Sequence, residues 1–225
     1  MAEASGPPAE LVYSPPAEPF LDIVHEDPAL LVLNKPSGLL TVPGKPADHA
    51  DCLEARAQAR FPQALTVHRL DMATSGLCVM ARTPAAQRHL GLQFEKRQVE
   101  KTYIAVVGGE MTAESGRIEG AMRTDWPRRP LQMIDHAHGR SAVTDWEVIG
   151  RQEGSTRVRL RPLTGRSHQL RVHLAWIGHP ILGDDFYAPP DLRAAAPRLL
   201  LHAETLGFRH PVGGEPVSFE APCPF

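Results

Sequence analysis

Long apolar runs, paired cysteines and lysine are all scarce in this sequence, and the first two shortages each exclude a class of protein. No apolar stretch approaches the length of a membrane-spanning helix, and no basic segment followed by an apolar core marks a secretory signal. The cysteines Cys52, Cys78 and Cys223 are odd in number and scattered, without the CxxC or paired Cys/His spacing of a zinc site. The sequence therefore predicts a protein of the reducing cytoplasm with no membrane role and no structural metal.

Lysine supplies only four of the 24 basic residues, and the charge is unevenly distributed. Residues 1–55 carry a net charge of -7, whereas residues 117–171, with eleven arginines and six acids, carry +5. The guanidinium group of arginine is a planar fork of donors that suits phosphate oxygens and base edges. The basic middle of the chain therefore favours an anionic partner on one face, although arginine richness can also follow from genome composition.

The order of predicted elements indicates an α+β protein with a mixed, largely antiparallel sheet core, flanked by helices and loops. Strands are predicted over 21–24, 30–35, 77–81, 101–107, 141–149, 156–162, 199–203 and around Val217, and helices over 51–60, 85–95, 166–177 and near Leu192. Prolines and acids over residues 1–19 predict a disordered or loosely tethered arm, so the folded domain is expected to span 20–225. Residues 110–140 are rich in turn signals.

Asp71 is an isolated acid between two apolar segments, one over 64–67 and one over 77–81. It is flanked by His68 and Arg69 and followed by a turn-forming Thr-Ser-Gly. A carboxylate held at a strand end is a candidate reactive group on a rigid scaffold. The alternative is a turn or N-cap aspartate that bonds its own backbone. These residues alone leave both interpretations open.

Four segments occur in an order that resembles the RluA family of RNA pseudouridine synthases. They are His68-Arg-Leu-Asp-Met-Ala-Thr-Ser-Gly76, Lys101-Thr-Tyr103, Gly165-Arg-Ser-His-Gln-Leu-Arg171 and Leu199-Leu-Leu-His-Ala203. The first and third motifs are long and specific, and the resemblance runs from about Phe20 to the C-terminus. Three further segments, beginning at Asn34, Asp125 and Gly178, look most like the family's dual-specificity members, which modify both ribosomal and transfer RNA.

The resemblance implies the pseudouridine synthase catalytic fold over 20–225 and a reaction that requires no cofactor. It assigns Asp71 as the catalytic aspartate, places Tyr103 against the target base, pairs Arg166 with Asp71 and makes Leu200 a wall of the pocket. Asp71 either attacks the anomeric carbon as a nucleophile or removes a proton from the neighbouring ribose carbon, and the sequence does not choose between them. The implied substrates are stem-loops of 23S ribosomal RNA and transfer RNA anticodon arms. A single-specificity ribosomal RNA enzyme is the alternative.

A uridine inside folded RNA must leave its stack before this chemistry, and Arg69 is the side chain expected to fill the vacated space. Phosphate contacts are expected from five further arginines. They are Arg128, Arg129, Arg157, Arg159 and Arg161, of which the last three alternate along one face of a predicted strand. The sequence contains no coiled-coil pattern, so an obligate protein partner is not predicted.

Two other classes of protein compete with this interpretation. A metal-dependent hydrolase would use His68, Asp71, His168 and His173, but residues five apart do not share a face of a helix. A catalytically silent RNA-binding module would keep the basic surface without the reaction. The sequence favours the isomerase.

Overall fold

The strands of a computed structural model, which describes residues 13–225, join in one eleven-stranded sheet. The strands are β1 (Ile23–Glu26), β2 (Leu30–Lys35), β3 (Leu65–Thr66), β4 (Ser75–Ala81), β5 (Glu100–Gly108), β6 (Ser115–Thr124), β7 (Gln132–Ile134), β8 (Arg140–Gln152), β9 (Ser155–Pro162), β10 (Leu201–Arg209) and β11 (Pro216–Glu220). The helices are α1 (Leu53–Arg60), α2 (Pro84–Glu95), α3 (Gln169–Trp176) and α4 (Pro190–Ala194), with short 3-10 helices at Ala47–His49 and Trp126–Arg128.

The strand order is β1-β2-β4-β10-β5-β9-β8-β6-β7, with β3 paired to β4 and β11 paired to β10. Every pairing is antiparallel except that of β4 with β10, which is parallel. The predicted α+β class with a largely antiparallel sheet is confirmed. No helix within residues 13–225 is both long and apolar enough to cross a bilayer.

The segment 110–140, predicted to be turn-rich, instead contributes β6 and β7. Strand β6 contains Gly116 and Gly120, which weaken its own preference for extended structure. It forms because it pairs with β8 from Ser115 to Met122, with Ile118 and Met122 turned into the core. Pairing with a distant strand therefore overrides the local sequence signal.

Residues 13–19, predicted to belong to a disordered arm, contact the domain. The Tyr13 hydroxyl donates to the backbone oxygen of Asp51 at 2.6 Å, and the Pro16 carbonyl accepts from Arg56 at 2.8 Å. The prediction is wrong for this part of the arm, because hydrogen bonds from distant residues fix a segment that has no regular structure of its own. Residues 1–12 lie outside the described residues.

Strand β4 is buried along its whole length and anchors the loop that precedes it. Leu77 and Val79 pack on one face with Leu90 of α2, while Cys78 and Met80 pack on the other face against α1. Alternate side chains of a strand point to opposite faces, so both faces are covered by apolar contacts. The residues just before Ser75 are thereby held at a fixed edge of the sheet.

Gly76 is required where β4 meets β10. Its φ is +112°, and a Cβ there would lie 2.3 Å from the backbone oxygen of Ala203. The parallel contact pairs Gly76 with Ala203 and Ser75 with His202. Ser75 and Gly76 were predicted to lie in a loop, but both already belong to β4.

Helix α3 begins at Gln169, three residues later than predicted. His168 is its N-cap and has a left-handed backbone with φ of 55°. The Gln169 side-chain oxygen accepts from the Arg166 backbone N–H at 3.0 Å and from the Thr164 hydroxyl at 2.7 Å. Residues 164–168 therefore form a tight turn, which alters the direction of every side chain in it.

Candidate active site

Asp71 lies in the connection between β3 and β4, at the base of an open cleft. Its side chain is 29% exposed, and its backbone oxygen accepts from the Thr74 N–H at 3.1 Å. This is a turn contact of the kind that a purely structural aspartate makes with its backbone. The carboxylate itself, however, points towards two basic side chains, described below, rather than capping a local N–H.

The Asp71 loop is held by residues 35–41, which connect β2 to the first helices. The Ser37 hydroxyl donates to the Ala73 oxygen at 2.7 Å, and the Thr41 hydroxyl donates to the Leu70 oxygen at 2.8 Å. The Gly38 N–H donates to the Met72 oxygen at 2.9 Å. Hydrogen bonds thus reach the residues on both sides of Asp71. Such anchoring of the surrounding backbone is what a pre-organised reactive group requires.

Lys35 is a fully buried lysine that supports the same loop. Its ammonium donates to the carbonyls of Pro36, Leu39 and Met72 at 2.9, 2.7 and 3.0 Å. Burial lowers the pKa of Lys35 to about 7. Three acceptors match the three N–H bonds of an ammonium, so these contacts favour its protonated form. Lys35 therefore ties the residue after Asp71 to the β2 end of the sheet.

Tyr103 projects from β5 into the cleft and packs between two apolar clusters. Burial raises the pKa of its phenol above the ordinary value, and the charge of Asp71 raises it further. The hydroxyl is therefore neutral at physiological pH. A neutral aromatic ring beside the carboxylate is suited to packing against a planar base.

Arg171, not Arg166, is the arginine that faces Asp71. Nη1 of Arg171 lies 3.8 Å from a carboxylate oxygen of Asp71, whereas Nε of Arg166 donates to the backbone oxygen of Ser141 at 3.3 Å. The predicted Arg166–Asp71 pair is wrong because the turn over 164–168 directs Arg166 away, while α3 carries Arg171 inward. Burial alone would lower the pKa of Arg171, but hydrogen bonds and charge pairing with Asp184 raise it above its ordinary value.

His168 is the second basic side chain facing Asp71, with Nε2 4.0 Å from a carboxylate oxygen. Its Nδ1 lies 2.7 Å from the Tyr187 hydroxyl, which also accepts from the Gln132 backbone N–H at 2.9 Å. Burial lowers the pKa of His168, against the opposing effect of Asp71. We assign the hydrogen bond as donated by the Tyr187 hydroxyl to Nδ1 of a neutral His168. The ring proton is then on Nε2 and points at the Asp71 carboxylate.

Leu201, rather than Leu200, is the leucine that lines the cleft. Leu201 is the first residue of β10 and is 3% exposed. The backbone of Leu200 instead pairs with Leu182 and Val106. The predicted wall residue is off by one, because neighbouring residues in extended chain point to opposite sides and the sequence did not fix which side faces Asp71.

The cleft has a volume of about 1910 Å³ and is basic, although the whole chain is slightly acidic. Eight basic and three acidic side chains line it, a net charge of +5 with histidines neutral. They are Arg69, Arg97, Lys101, Arg128, Arg129, Arg166, Arg171 and Arg193 against Asp71, Glu95 and Asp185. Such a surface attracts a polyanion and concentrates it near the carboxylate.

Three of the arginines predicted to contact RNA line the cleft. Arg69 is exposed there, next to Asp71 in sequence. Arg128 pairs with Asp125 at 2.5 Å, and the guanidinium of Arg129 stacks 4.4 Å from the ring centroid of Trp126. Together the loop residues form one wall of the cleft.

Arg157, Arg159 and Arg161 lie outside the cleft. Glu147 accepts from Arg159 at 2.5 Å and from Arg161 at 3.2 Å, while Arg157 donates to the backbone oxygen of Phe225. The three side chains do alternate along β9 as predicted, but they bond to Glu147 of β8 and to the C-terminal Phe225. Their predicted RNA contacts would have to be made on another surface.

Two of the three histidines required by the metal-hydrolase alternative, His68 and His173, are engaged in structural contacts. His68 accepts from the Val79 N–H at 3.1 Å and stacks on Phe94 at 4.4 Å, and burial together with Lys101 lowers its pKa to about 3. His173 is fully buried, with Nδ1 2.9 Å from the Thr144 hydroxyl. Within residues 13–225, no three His, Cys, Asp or Glu side chains converge in a metal-binding group.

Sequence reasoning missed Lys35, His168 and Arg171 as parts of the site. Lys35 ends an apolar strand, and a lysine in that position was a signal that its ammonium has buried acceptors. His168 and Arg171 were both present in the motif that carried the resemblance. Nothing in the linear order indicated which basic side chain of that motif meets Asp71.

Several known proteins resemble this chain in sequence or in fold. A family profile described as RNA pseudouridylate synthase matches residues 29–176. The chain is 50% identical over 214 residues to the dual-specificity RNA pseudouridine synthase RluA of Escherichia coli K12, covering 95% of this chain and 98% of that one. It is 47% identical over 218 residues to the enzyme of the same name from Pasteurella multocida, covering 96% of this chain and all of the relative.

Among solved structures, human RNA pseudouridylate synthase domain containing 1 superposes with a TM-score of 0.76 at 33% identity, covering 91% of this chain and 84% of that one. The sheet and the basic cleft around a carboxylate are thus those of an RNA pseudouridine synthase, an isomerase of uridine. More narrowly, the chain belongs to the RluA family of these enzymes.

Proposed function

We propose that this pseudouridine synthase acts on stem-loops of both 23S ribosomal RNA and transfer RNA anticodon arms, with Asp71 as the reacting group. The observation that carries the proposal is the position of Asp71, on an anchored loop at the base of a basic cleft, 3.8 Å from Arg171. The dual substrate follows from the relatives, whose name describes dual-specificity RNA enzymes. The cytoplasm, where both RNAs occur, is the expected site of action.

The reaction is an isomerisation and needs no cofactor. The C1′–N1 bond of uridine breaks, the uracil turns within the site, and its C5 bonds to C1′. C5 then loses its proton and N1 gains one, so the atoms and electrons balance. Ionised Asp71 either attacks C1′ as a nucleophile or removes the proton of C2′ as a base. In either case Arg171 stabilises the ionised carboxylate at the start of the reaction.

The side chains around Asp71 suit a detached uracil. Tyr103 offers a neutral ring and Leu201 an apolar surface, which together exclude water from the base while it turns. Loss of the base to solvent would turn isomerisation into hydrolysis. An apolar pocket beside the carboxylate therefore favours re-bonding over release.

RNA enters as a folded stem-loop, so the target uridine must first be turned out of its stack. Arg69 is exposed in the cleft beside Asp71 and is the proposed occupant of the vacated space. Arg128 and Arg129, which line the same cleft, are the proposed phosphate contacts. Recognition that depends on the shape of a loop allows one cleft to accept two RNAs.

The proposal is tested with Asp71→Asn, and Asp185→Asn serves as the matched control. Both carboxylates line the cleft, but Asp185 pairs with Arg193 and is 64% exposed. We expect Asp71→Asn to bind RNA normally and form no pseudouridine, while Asp185→Asn retains activity. Pseudouridine is mapped in ribosomal and transfer RNA from cells carrying each variant. Activity of Asp71→Asn would refute the assigned role, and modification of one RNA class only would refute dual specificity.

A further inference from the structure

Asp184 is a buried carboxylate that the reaction itself does not use. Its side chain is 0% exposed, and its two oxygens accept from Nε and Nη2 of Arg171 at 2.8 and 2.5 Å. That is a two-point contact, which fixes both the position and the plane of the guanidinium. The remaining nitrogen, Nη1, is the atom that faces Asp71.

The same carboxylate shapes the turn that follows it. One Asp184 oxygen accepts from the backbone N–H groups of Phe186 and Tyr187 at 2.9 and 3.2 Å. The rings of these two residues lie over the Arg171 guanidinium, with centroids 4.9 and 5.3 Å from its central carbon. Asp184 therefore orients Arg171 directly through its charge and indirectly through two aromatic rings.

The turn also reaches the second basic group of the site. The Tyr187 hydroxyl lies 2.7 Å from Nδ1 of His168, whose other nitrogen faces Asp71. Both donors directed at Asp71 are thus connected to one buried carboxylate. Burying a charge is costly unless it is fully paired. Removing one partner of a buried pair is therefore strongly destabilising, because the other partner is left without compensation.

We infer that Asp184 is the positioning residue of the active site. It holds Arg171 and the Phe186–Tyr187 turn in place, so that Nη1 of Arg171 and Nε2 of His168 face the Asp71 carboxylate in a fixed geometry. This inference rests on the proposed role of Asp71. Asp184 does not touch the RNA, so its loss changes the rate of the chemical step and leaves RNA affinity intact. A displacement of about 1 Å at a reacting group can reduce a rate by about 100-fold.

The test compares Asp184→Asn with Asp51→Asn. Asp51 makes an equivalent two-point contact with another buried arginine, Arg56, at 2.8 and 2.7 Å, but lies outside the cleft. RNA dissociation constants, single-turnover rates at saturating RNA and thermal unfolding are measured for both. For Asp184→Asn we expect RNA affinity within about threefold of the unmodified enzyme and a rate lower by about 100-fold. Asp51→Asn is expected to alter stability alone.

Repeating the Asp184→Asn change in an Arg171→Met background distinguishes a positioning role of Asp184 from a purely structural one. Because Asp184 acts in part through Arg171, Asp184→Asn then causes a smaller loss of rate than it does in the unmodified enzyme. An equal loss in both backgrounds, or a normal rate for the folded Asp184→Asn enzyme, would overturn the inference. If Asp184→Asn does not fold, Asp184→Glu keeps the charge but displaces it by one methylene, and a normal rate there would likewise overturn it. Inactivity of Asp71→Asn is a separate result, so the two proposals can fail independently.

Discussion

Arg171 provides the sharpest test of how the site works, because the sequence had favoured Arg166. The change Arg171→Met removes the charge that faces Asp71, and the companion change Asp184→Leu avoids leaving a buried, unpaired carboxylate. Replacement of a buried ion pair by apolar residues of similar volume is often tolerated. The double variant is therefore expected to fold, so that its activity reports on the site.

The expected loss of rate follows from the geometry. Unit charges 3.8 Å apart interact by about 4 kcal/mol at an effective dielectric constant of 20. Because the Asp71 side chain is 29% exposed, solvent screens this attraction, and we take about half of it. Loss of the Asp184 charge, held at the other edge of the guanidinium, offsets part of the remainder, which leaves about 1.4 kcal/mol. Without this attraction the carboxylate is no longer held in its reactive position, so the double variant should form pseudouridine at least about tenfold more slowly.

The assay is the single-turnover rate of pseudouridine formation at saturating RNA. This rate should fall at least about tenfold in the double variant. Arg166→Ala is the control and should leave the rate unchanged, since Arg166 bonds the backbone of Ser141. A rate that falls in Arg166→Ala and stays normal in the double variant would refute this account.

Three further predictions concern the scaffold. Lys35→Met removes the ammonium donor from three carbonyls, of which that of Met72 keeps its bond from the Gly38 N–H, and should lower the free energy of unfolding by about 3 kcal/mol, measured in urea. His68 has a pKa of about 3 in the folded protein, below its ordinary value. As the pH falls, this histidine is therefore protonated in the unfolded chain before it is protonated in the folded protein. Between pH 7 and pH 5 this should cost about 2 kcal/mol of stability, a loss that His68→Gln should abolish. Gly76→Ala should abolish soluble expression, since its Cβ would lie 2.3 Å from the Ala203 oxygen, whereas Gly154→Ala, with φ of +71° but open space, should cost only about 1 kcal/mol. A stable Gly76→Ala protein, or a pH profile unchanged by His68→Gln, would contradict these expectations.

Much of the fold could be predicted from the chain because its signals are local. The alternating and apolar runs located β2, β4, β5 and β9, and the helix predicted over 85–95 corresponds to α2. Strand β6 could not be found in this way, because its glycines hide a strand that exists only through pairing with β8. Order in residues 13–19 was missed for a similar reason, since Arg56 and Asp51 supply its partners from a distance.

The sequence by itself determined which reactive side chains the site can contain. Contiguous motifs identified Asp71 and Tyr103, and both lie in the cleft. Only the tertiary structure decided that Arg171 rather than Arg166 meets the carboxylate and that Leu201 rather than Leu200 lines the pocket. The physical reason is that a motif fixes which side chains are present, whereas their directions depend on backbone dihedrals and strand register. Those are set by contacts between residues far apart in the chain.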